Sequence, residues 1–567
     1  MRSAAARWTL LATASLIALL VLVTYAGSLS NGPVWDDRYL VTENPYLRSF
    51  DGLRVLLEND LWTASGKREP SSFYRPLTMV TFWVNAQVAG VSAASMRAGN
   101  VFLHAVNAVL LWLLLRRLLD PPRAMLAAIM AGLWGVLAIN GEPVLWISGR
   151  FDPLTAMAAL ACMLANRHRG AAGTALVVVA AACGLLFKEA FMGWLPLLLL
   201  DDLLLQRRAP RTLVPKYVAL GAVVGLNILL RKAVGIPSLS VVAETGLQTL
   251  VESYLYTFAT LVPRAFVPYG LDPFHPYAAL SLPANVALGS LLVGVTGWLG
   301  WRALRRGAGP HARVSAFGWC WLVLGLVPAS LTGPNLFMIG DRYAYLPFMG
   351  LLILGFAEVH ALTQRLRQRT LKAEVLVGAI LALASLGQAW ALTRRIPDWK
   401  DDKTLAEASA RAHTNNPYAL YTLGTMAIDD GDLDRAERLL LVAADGNPRC
   451  WRTANALCVL RLRQGRYGEA LAACQRSLAI HGSNPRAWVN LASVHVNEKR
   501  WQHALEASLK AVEVKPFFPE ARYLAAVSYA NLGDLDRARE HIAVGLAEDP
   551  THAGLIDLQA QMARRGK

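Results

Sequence analysis

Charge is scarce in this chain, and acidic charge is scarcer than basic: 17% of its 567 residues are charged, 40 of them acidic and 56 basic. Ordinary soluble chains carry about 25% charged residues. With a hydrophobic fraction of 54%, the shortage excludes a soluble globular protein of this size. The net charge of +16 does not point to nucleic acid, because no basic stripe interleaved with aromatics stands out. Cysteine is sparse too. Cys162, Cys183, Cys320, Cys450, Cys458 and Cys474 lack metal-ligand spacing. The first three sit in apolar runs and read as packing residues. The last three read as small core residues, with a disulfide open if that region faces an oxidising space. No inverted repeat is evident, which ranks a transporter last.

What is abundant is apolar sequence of spanning length. Runs recur from Trp8 to Thr393 and stop after Trp399, and each is near the length that crosses a hydrocarbon core of ~30 Å. Basic residues gather between them: Arg116, Arg117 and Arg123; Arg167 and Arg169; Arg207, Arg208, Arg211 and Lys216; Arg302, Arg305, Arg306 and Arg313; Arg365, Arg367, Arg369 and Lys372. Under the positive-inside rule these are cytoplasmic loops. The N-terminus, with Arg2 and Arg7, is then inside, and residues 29–97 form a long outer loop. About eleven spans are predicted: 8–28, 98–116, 123–140, 143–165, 171–187, 190–205, 213–232, 284–301, 314–332, 344–363 and 373–393. Leu77–Ser92 and Val251–Tyr269 are read as interfacial or re-entrant. A cleaved signal peptide is the competing reading of the first run, because Ala26-Gly27-Ser28 offers a cleavage site. The high Ala, Leu and Arg content with short loops suggests a bacterial inner membrane.

The C-terminal third is polar and periodic. Pro417, Trp451, Pro485 and Pro519 are each 34 residues apart, and Ala436, Ala470, Ala504 and Ala538 repeat in the same register. This is the period of tetratricopeptide (TPR) helix pairs. Gly431, Gly465 and Gly533 fall at the inter-helix turn, where a positive φ suits glycine. Pro448, Pro516 and Pro550 close units. The fold class is therefore all-α: a polytopic helical domain over 1–398 and a linker helix at 399–416. Four repeats follow (417–450, 451–484, 485–518, 519–552), then a cap over 551–567. An odd number of spans places the repeats outside, where a solenoid's usual work is to hold a polypeptide partner.

Ionisable residues near spans are expensive and point to function. Four clusters fall on the predicted outer face. They are Asp36-Asp37 after the first span; Tyr74-Arg75-Pro76; Glu142 with Arg150 and Asp152; and Lys188-Glu189 with Asp341-Arg342-Tyr343. The structural alternatives are helix capping by the Asp pair, a snorkelling Arg75, an Arg150–Asp152 or Arg150–Glu142 ion pair, and interfacial anchoring.

In this order the motifs Asp-Asp, Tyr-Arg-Pro-Leu-Thr, Glu…Trp-Ile-Ser-Gly-Arg-x-Asp, Lys-Glu and Asp-Arg-Tyr-x-Tyr-Leu-Pro, followed by TPR units, resemble one family. It is the transmembrane and tetratricopeptide-repeat O-mannosyltransferases and their bacterial relatives, of the GT-C glycosyltransferase type. The resemblance implies a polyprenyl-phosphate-linked sugar donor, used on the extracytoplasmic side, and transfer to Ser/Thr hydroxyls of proteins. Carried over, Asp36 and Asp37 match the family's acidic pair, with either as the general base. Arg150, Lys188, Arg342 and Arg75 are candidates for the donor phosphate, with Glu142, Asp152, Glu189, Asp341 and Tyr343 as supporting polar groups. One base opposite the leaving group implies inversion. A divalent cation near the Asp pair is open, though no ligand cluster demands one. Family members often carry His-Pro-x-His just before the position of Glu142; here Leu137, Ala138, Ile139 and Asn140 stand there. That departure keeps an inactive scaffold as a rival reading. A lipid or surface-glycan acceptor is the other.

Overall fold

The computed structural model describes residues 4–66, 73–119, 124–236, 247–276, 283–305, 309–336, 338–367 and 372–565. Arg2, Arg123, Arg306 and Arg369 of the expected basic loops lie outside the described residues. The chain forms two compact units that divide between Ala408 and Ser409. Both are helical; the one sheet among the described residues is a two-residue antiparallel pairing of His275–Pro276 with Met338–Ile339.

In the first unit, six helices among the described residues are long and apolar enough to cross a membrane: Arg7–Ser30, Ala93–Leu118, Pro210–Ala233, Pro310–Leu331, Pro347–Leu366 and Val375–Trp399. A seventh candidate, Ala124–Val136 plus Ala138–Leu145, is bent by 58°. This is a multi-pass membrane architecture, though among the described residues not all of the eleven expected spans are continuous helices of that length. The expected span at 143–165 is a 15-residue helix, Phe151–Ala165, and that at 171–187 is the 17-residue Ala171–Phe187. At 1.5 Å per residue these cover about 22–26 Å, the first below and the second at the lower limit of the roughly 17–25 residues that cross a membrane. The expected span at 190–205 is broken into a 3-10 turn, Glu189–Trp194, a short helix, Pro196–Leu200, and a π turn, Asp201–Leu205. That at 284–301 lies in the 22-residue helix Pro283–Leu304. Leu77–Ser92 contains the 14-residue helix Pro76–Ala89, too short to span.

The interruptions coincide with the polar clusters. Helices stop or restart at Glu142–Leu145, Ile147–Arg150 and Glu189–Trp194, so the polar side chains there sit at helix ends. A second polar layer lies at the opposite end of Phe151–Ala165. There Asp201 and Asp202, both fully buried, take Arg167 at 2.6 Å, Arg208 at 3.2 Å and Lys216 as partners. Part of the charge expected on solvated loops is thus spent on internal ion pairs.

The second unit is a TPR array. Its helix pairs are Pro417–Asp429 with Leu433–Gly446, Trp451–Arg463 with Tyr467–Ile480, Pro485–Asn497 with Trp501–Val514, and Pro519–Leu532 with Leu535–Glu548; Ala553–Arg565 follows. Ala436, Ala470, Ala504 and Ala538 have no exposed surface, so the register that admits only small residues is where paired helices touch. Gly431, Gly465 and Gly533 adopt φ of 82°, 72° and 90°; in the third repeat Lys499 takes the same place at 57°. Asn416 and Asn484 cap the first helices of their repeats by accepting from Tyr418 N and Arg486 N. Cys458 and Cys474, expected as small core residues, are joined in a disulfide between the two helices of the second repeat.

Candidate active site

The site begins where the chain leaves the first span. Arg97, with no exposed surface, donates to Ser28 O at 3.2 Å, Asn31 O at 2.6 Å, Gly32 O at 2.7 Å and Leu145 O at 2.8 Å. One guanidinium thereby binds the start of the outer loop to the 142–148 turn. Asp37 completes the junction. Its Oδ1 accepts from Ser148 N and Ser148 Oγ, both at 2.7 Å, and its Oδ2 accepts from Val34 N at 3.1 Å and Ile147 N at 3.3 Å. It is fully buried. Burial pushes its carboxyl up to about 6, against the opposing pull of these donors and of Arg97. Asp37 is therefore an anchor, with its acceptor positions filled, rather than a base open to a substrate. Asp36 beside it is half-buried.

Three cation–carboxylate pairs adjoin this junction. Arg342 reaches Glu142 through its guanidinium and donates its own backbone N–H to Glu142 Oε2 at 2.8 Å. Lys188 Nζ lies 2.5 Å from Asp152 Oδ1. Arg75 holds Glu189 bidentately, at 3.0 Å and 2.5 Å, with its guanidinium between Phe73 and Phe151 at 4.6 and 4.4 Å. Burial would raise the Glu189 carboxyl, but Arg75 outweighs it and brings it down to about 2. The pairs connect through aromatic rings. Arg342 lies over Trp146 at 5.7 Å and Tyr343 at 4.9 Å, Lys188 is 5.9 Å from the same Tyr343 ring, and Trp146 packs on Trp35 at 5.5 Å. Trp146, Arg342, Tyr343, Lys188 and Asp152 thus belong to one contiguous patch, and Trp35, the residue before Asp36, packs against its Trp146 edge. The cations of the pairs keep 9–15% of their side-chain surface exposed, so each presents an edge while its carboxylate fixes its direction.

Two of the expected site residues lie in closed surroundings. Arg150 pairs with neither Asp152 nor Glu142. It is 2% exposed and donates to Asn100 Oδ1 at 2.7 Å, Asn85 Oδ1 at 2.9 Å, Met96 O at 2.7 Å and Thr81 O at 3.1 Å, with Phe82 stacked at 4.1 Å. A Cβ on Gly99 would come within 2.7 Å of its Nη2, so glycine there admits the guanidinium. Four of its five N–H donors are thus satisfied in a closed pocket, where Arg150 clasps these elements together. Asp341 is likewise closed off. It is fully buried between His275 Nε2 at 2.8 Å and Arg395 Nη1 at 2.7 Å, which hold its carboxyl low despite burial.

Sequence reasoning passed over Arg97, Ser148, His275 and Arg395. For Arg97 a signal existed. Arg97, Asn100, His104 and Asn107 follow helical spacing in a span and are all fully buried, the mark of a polar stripe on one helix face. Among the described residues, no three His, Cys, Asp or Glu side chains gather closely enough to hold a metal ion.

The fold and the patch define a multi-pass membrane protein that carries a TPR array. The family model described as Tetratricopeptide repeat matches residues 421–485, 455–513 and 489–553. Over 95% of its length the chain is 22% identical to mouse Protein O-mannosyl-transferase TMTC3 and 23% identical to the human protein of that name. Over 74% of its length it is 23% identical to Protein O-mannosyl-transferase F38B6.6 of Caenorhabditis elegans, covering 60% of that protein. Over nearly all its length the chain is thus similar in sequence to proteins named O-mannosyl-transferases. It spans 64% of the mouse and human relatives' length.

Proposed function

We propose that this protein is a membrane glycosyltransferase of the GT-C type that moves a sugar, mannose by analogy with its relatives' names, from a polyprenyl-phosphate carrier to Ser/Thr hydroxyls of proteins. The reaction runs on the extracytoplasmic face of the cytoplasmic membrane. The observation that carries the reading is the patch in which Arg342 and Lys188 flank Tyr343, with Trp35, the neighbour of Asp36, packed on its Trp146 edge, in a chain similar to O-mannosyl-transferases along nearly all its length.

Asp36 is the general base. A carboxylate at the surface can take the acceptor's proton as its oxygen attacks the anomeric carbon. The bond from that carbon to the phosphate oxygen breaks on the opposite side, and its electron pair leaves with the phosphate. A single displacement inverts the configuration. Arg342 and Lys188, with Arg75 beside them, stabilise the negative charge that develops on the phosphate. Glu142, Asp152 and Glu189 hold these cations in place before the donor arrives, and Tyr343 separates the first two. The lipid tail stays in the bilayer, which suits a site at helix ends. The TPR array binds the acceptor polypeptide, the usual service of such a surface.

The test is transfer of radiolabelled mannose from polyprenyl-phosphate-mannose to extracted envelope proteins by the purified protein in lipid. Transfer by wild type and none by Asp36→Asn is expected. The rival, an inactive envelope scaffold, draws on Leu137–Asn140 standing where relatives carry histidines. No transfer from any of a panel of lipid-linked sugars would favour it.

A further inference from the structure

The residue before Asp36 is held in a conformation that its type avoids. Trp35 has φ of 51°, and it is one of three non-glycine residues with positive φ among those described. For a bulky side chain this is a genuine outlier, and such strain persists only where the surroundings over-determine it. The surroundings here are specific. The Trp35 backbone N–H donates to Asp402 Oδ1 at 2.7 Å. Its ring meets Phe274 at 4.6 Å, Trp399 at 5.4 Å and Trp146 at 5.5 Å, each edge-on or nearly so. The preceding residues are tied to the same strap, with Asn31 Nδ2 donating to Ile396 O and Gly32 N to Lys400 O, both at 2.8 Å. The left-handed turn at Trp35 separates its two successors: Asp37 enters the 146–148 turn and Asp36 remains at the surface.

We propose that Asp402, acting through Trp35, is a positioning residue that aims Asp36 at the acceptor hydroxyl. The inference rests on the reading of Asp36 as the base. Asp402 touches no reacting atom. Its part is to accept the one hydrogen bond that holds residue 35 left-handed, and its charge is secondary, since Arg38 is 3.8 Å away and half exposed. Two substitutions separate these roles. Asp402→Asn keeps an acceptor oxygen and loses the charge. Asp402→Glu keeps the charge and displaces the acceptor by a methylene. A base displaced by about 1 Å loses about 100-fold in turnover.

The experiment measures kcat, KM for polyprenyl-phosphate-mannose and the unfolding temperature of the full-length protein in lipid. The variants are D402A, D402N, D402E and D36N. The expected result is kcat lowered about 10- to 100-fold in D402A and D402E, near wild type in D402N, with donor KM and unfolding temperature unchanged. A merely structural carboxylate would not split kcat from KM in this way. Wild-type turnover in D402A overturns the proposal, as does a loss in D402N equal to that in D402A. If D402A does not fold, D402E decides, and wild-type kcat there overturns it. An active D36N would instead sink the reading of Asp36, whatever the Asp402 variants do.

Discussion

Asp36 and Asp37 are chemically identical neighbours with opposite environments, and amide substitution should separate them. Asp37→Asn keeps one carbonyl oxygen. If that oxygen retains the pair of 2.7 Å bonds from Ser148, the new NH2 faces Val34 N–H and Ile147 N–H, which approach Oδ2 at 3.1 and 3.3 Å. Two buried donors then lack an acceptor, and a third donor points at them. An orphaned buried donor costs about 1–3 kcal/mol. The two long bonds argue for the lower part of that range, giving a loss of about 2–4 kcal/mol. Asp36→Asn acts at a half-buried carboxylate whose proposed role is to take the proton. It should fold like wild type and lose about 10²–10⁴-fold in transfer.

The assay pairs thermal unfolding in lipid with mannose transfer at saturating donor. The expected pattern is crossed: D36N stable and inactive, D37N destabilised with transfer that scales with its folded fraction. The opposite cross, D37N as stable as wild type but inactive while D36N turns over, would refute the assignment and make Asp37 the base.

Three further outcomes follow from other parts of the structure. Arg342→Gln should destabilise the protein by about 3–5 kcal/mol, because it leaves the fully buried Glu142 unpaired. Adding Glu142→Gln should restore most stability but no transfer, and restored transfer would rule out Arg342 as a phosphate ligand. Lys499→Gly should stabilise the repeats by about 1 kcal/mol in a thermal melt, since glycine accepts the φ of 57° without a Cβ clash; an unchanged or lower melting point would count against it. Thiol titration of denatured full-length protein should find four reactive cysteines before reduction and six after. Replacing Cys458 and Cys474 by alanine should cost about 3 kcal/mol for a bridge of sequence separation 16. Six thiols without reductant would place the repeats in a reducing space.

Much of the fold was legible because it repeats or because it is extreme. A 34-residue period is a local property: each unit carries its own alanine contact, its own turn and its own proline stop, and Ala436 to Ala538 land where two helices must touch. Lys499 shows that the period outlives the residue that best suits it. The spans were legible as apolar runs but not as helices of a given length. The sequence at 143–150 and 190–196 reads as part of the continuous spans 143–165 and 190–205, while the chain there makes short turns, with Glu142, Lys188 and Glu189 at their starts.

The pairing of the site's charges was not legible, for a reason that is physical rather than statistical. Arg75 meets Glu189 across 114 residues and Arg342 meets Glu142 across 200. Nothing local distinguishes these partners from Asp152 or Asp341, and neighbours in sequence such as Arg150 and Asp152 diverge to opposite surroundings. In a layer with little water, a cation takes whichever acceptors complete its coordination. Arg150 found carbonyls and amides, so its charge is stabilised without any carboxylate. The carboxylates it left are then free to orient Arg342 and Lys188. Arg150, one of four arginine and lysine candidates for the phosphate, is thus satisfied by neutral acceptors, while Arg75, Lys188 and Arg342 each pair with a single carboxylate and keep 9–15% of their side-chain surface exposed.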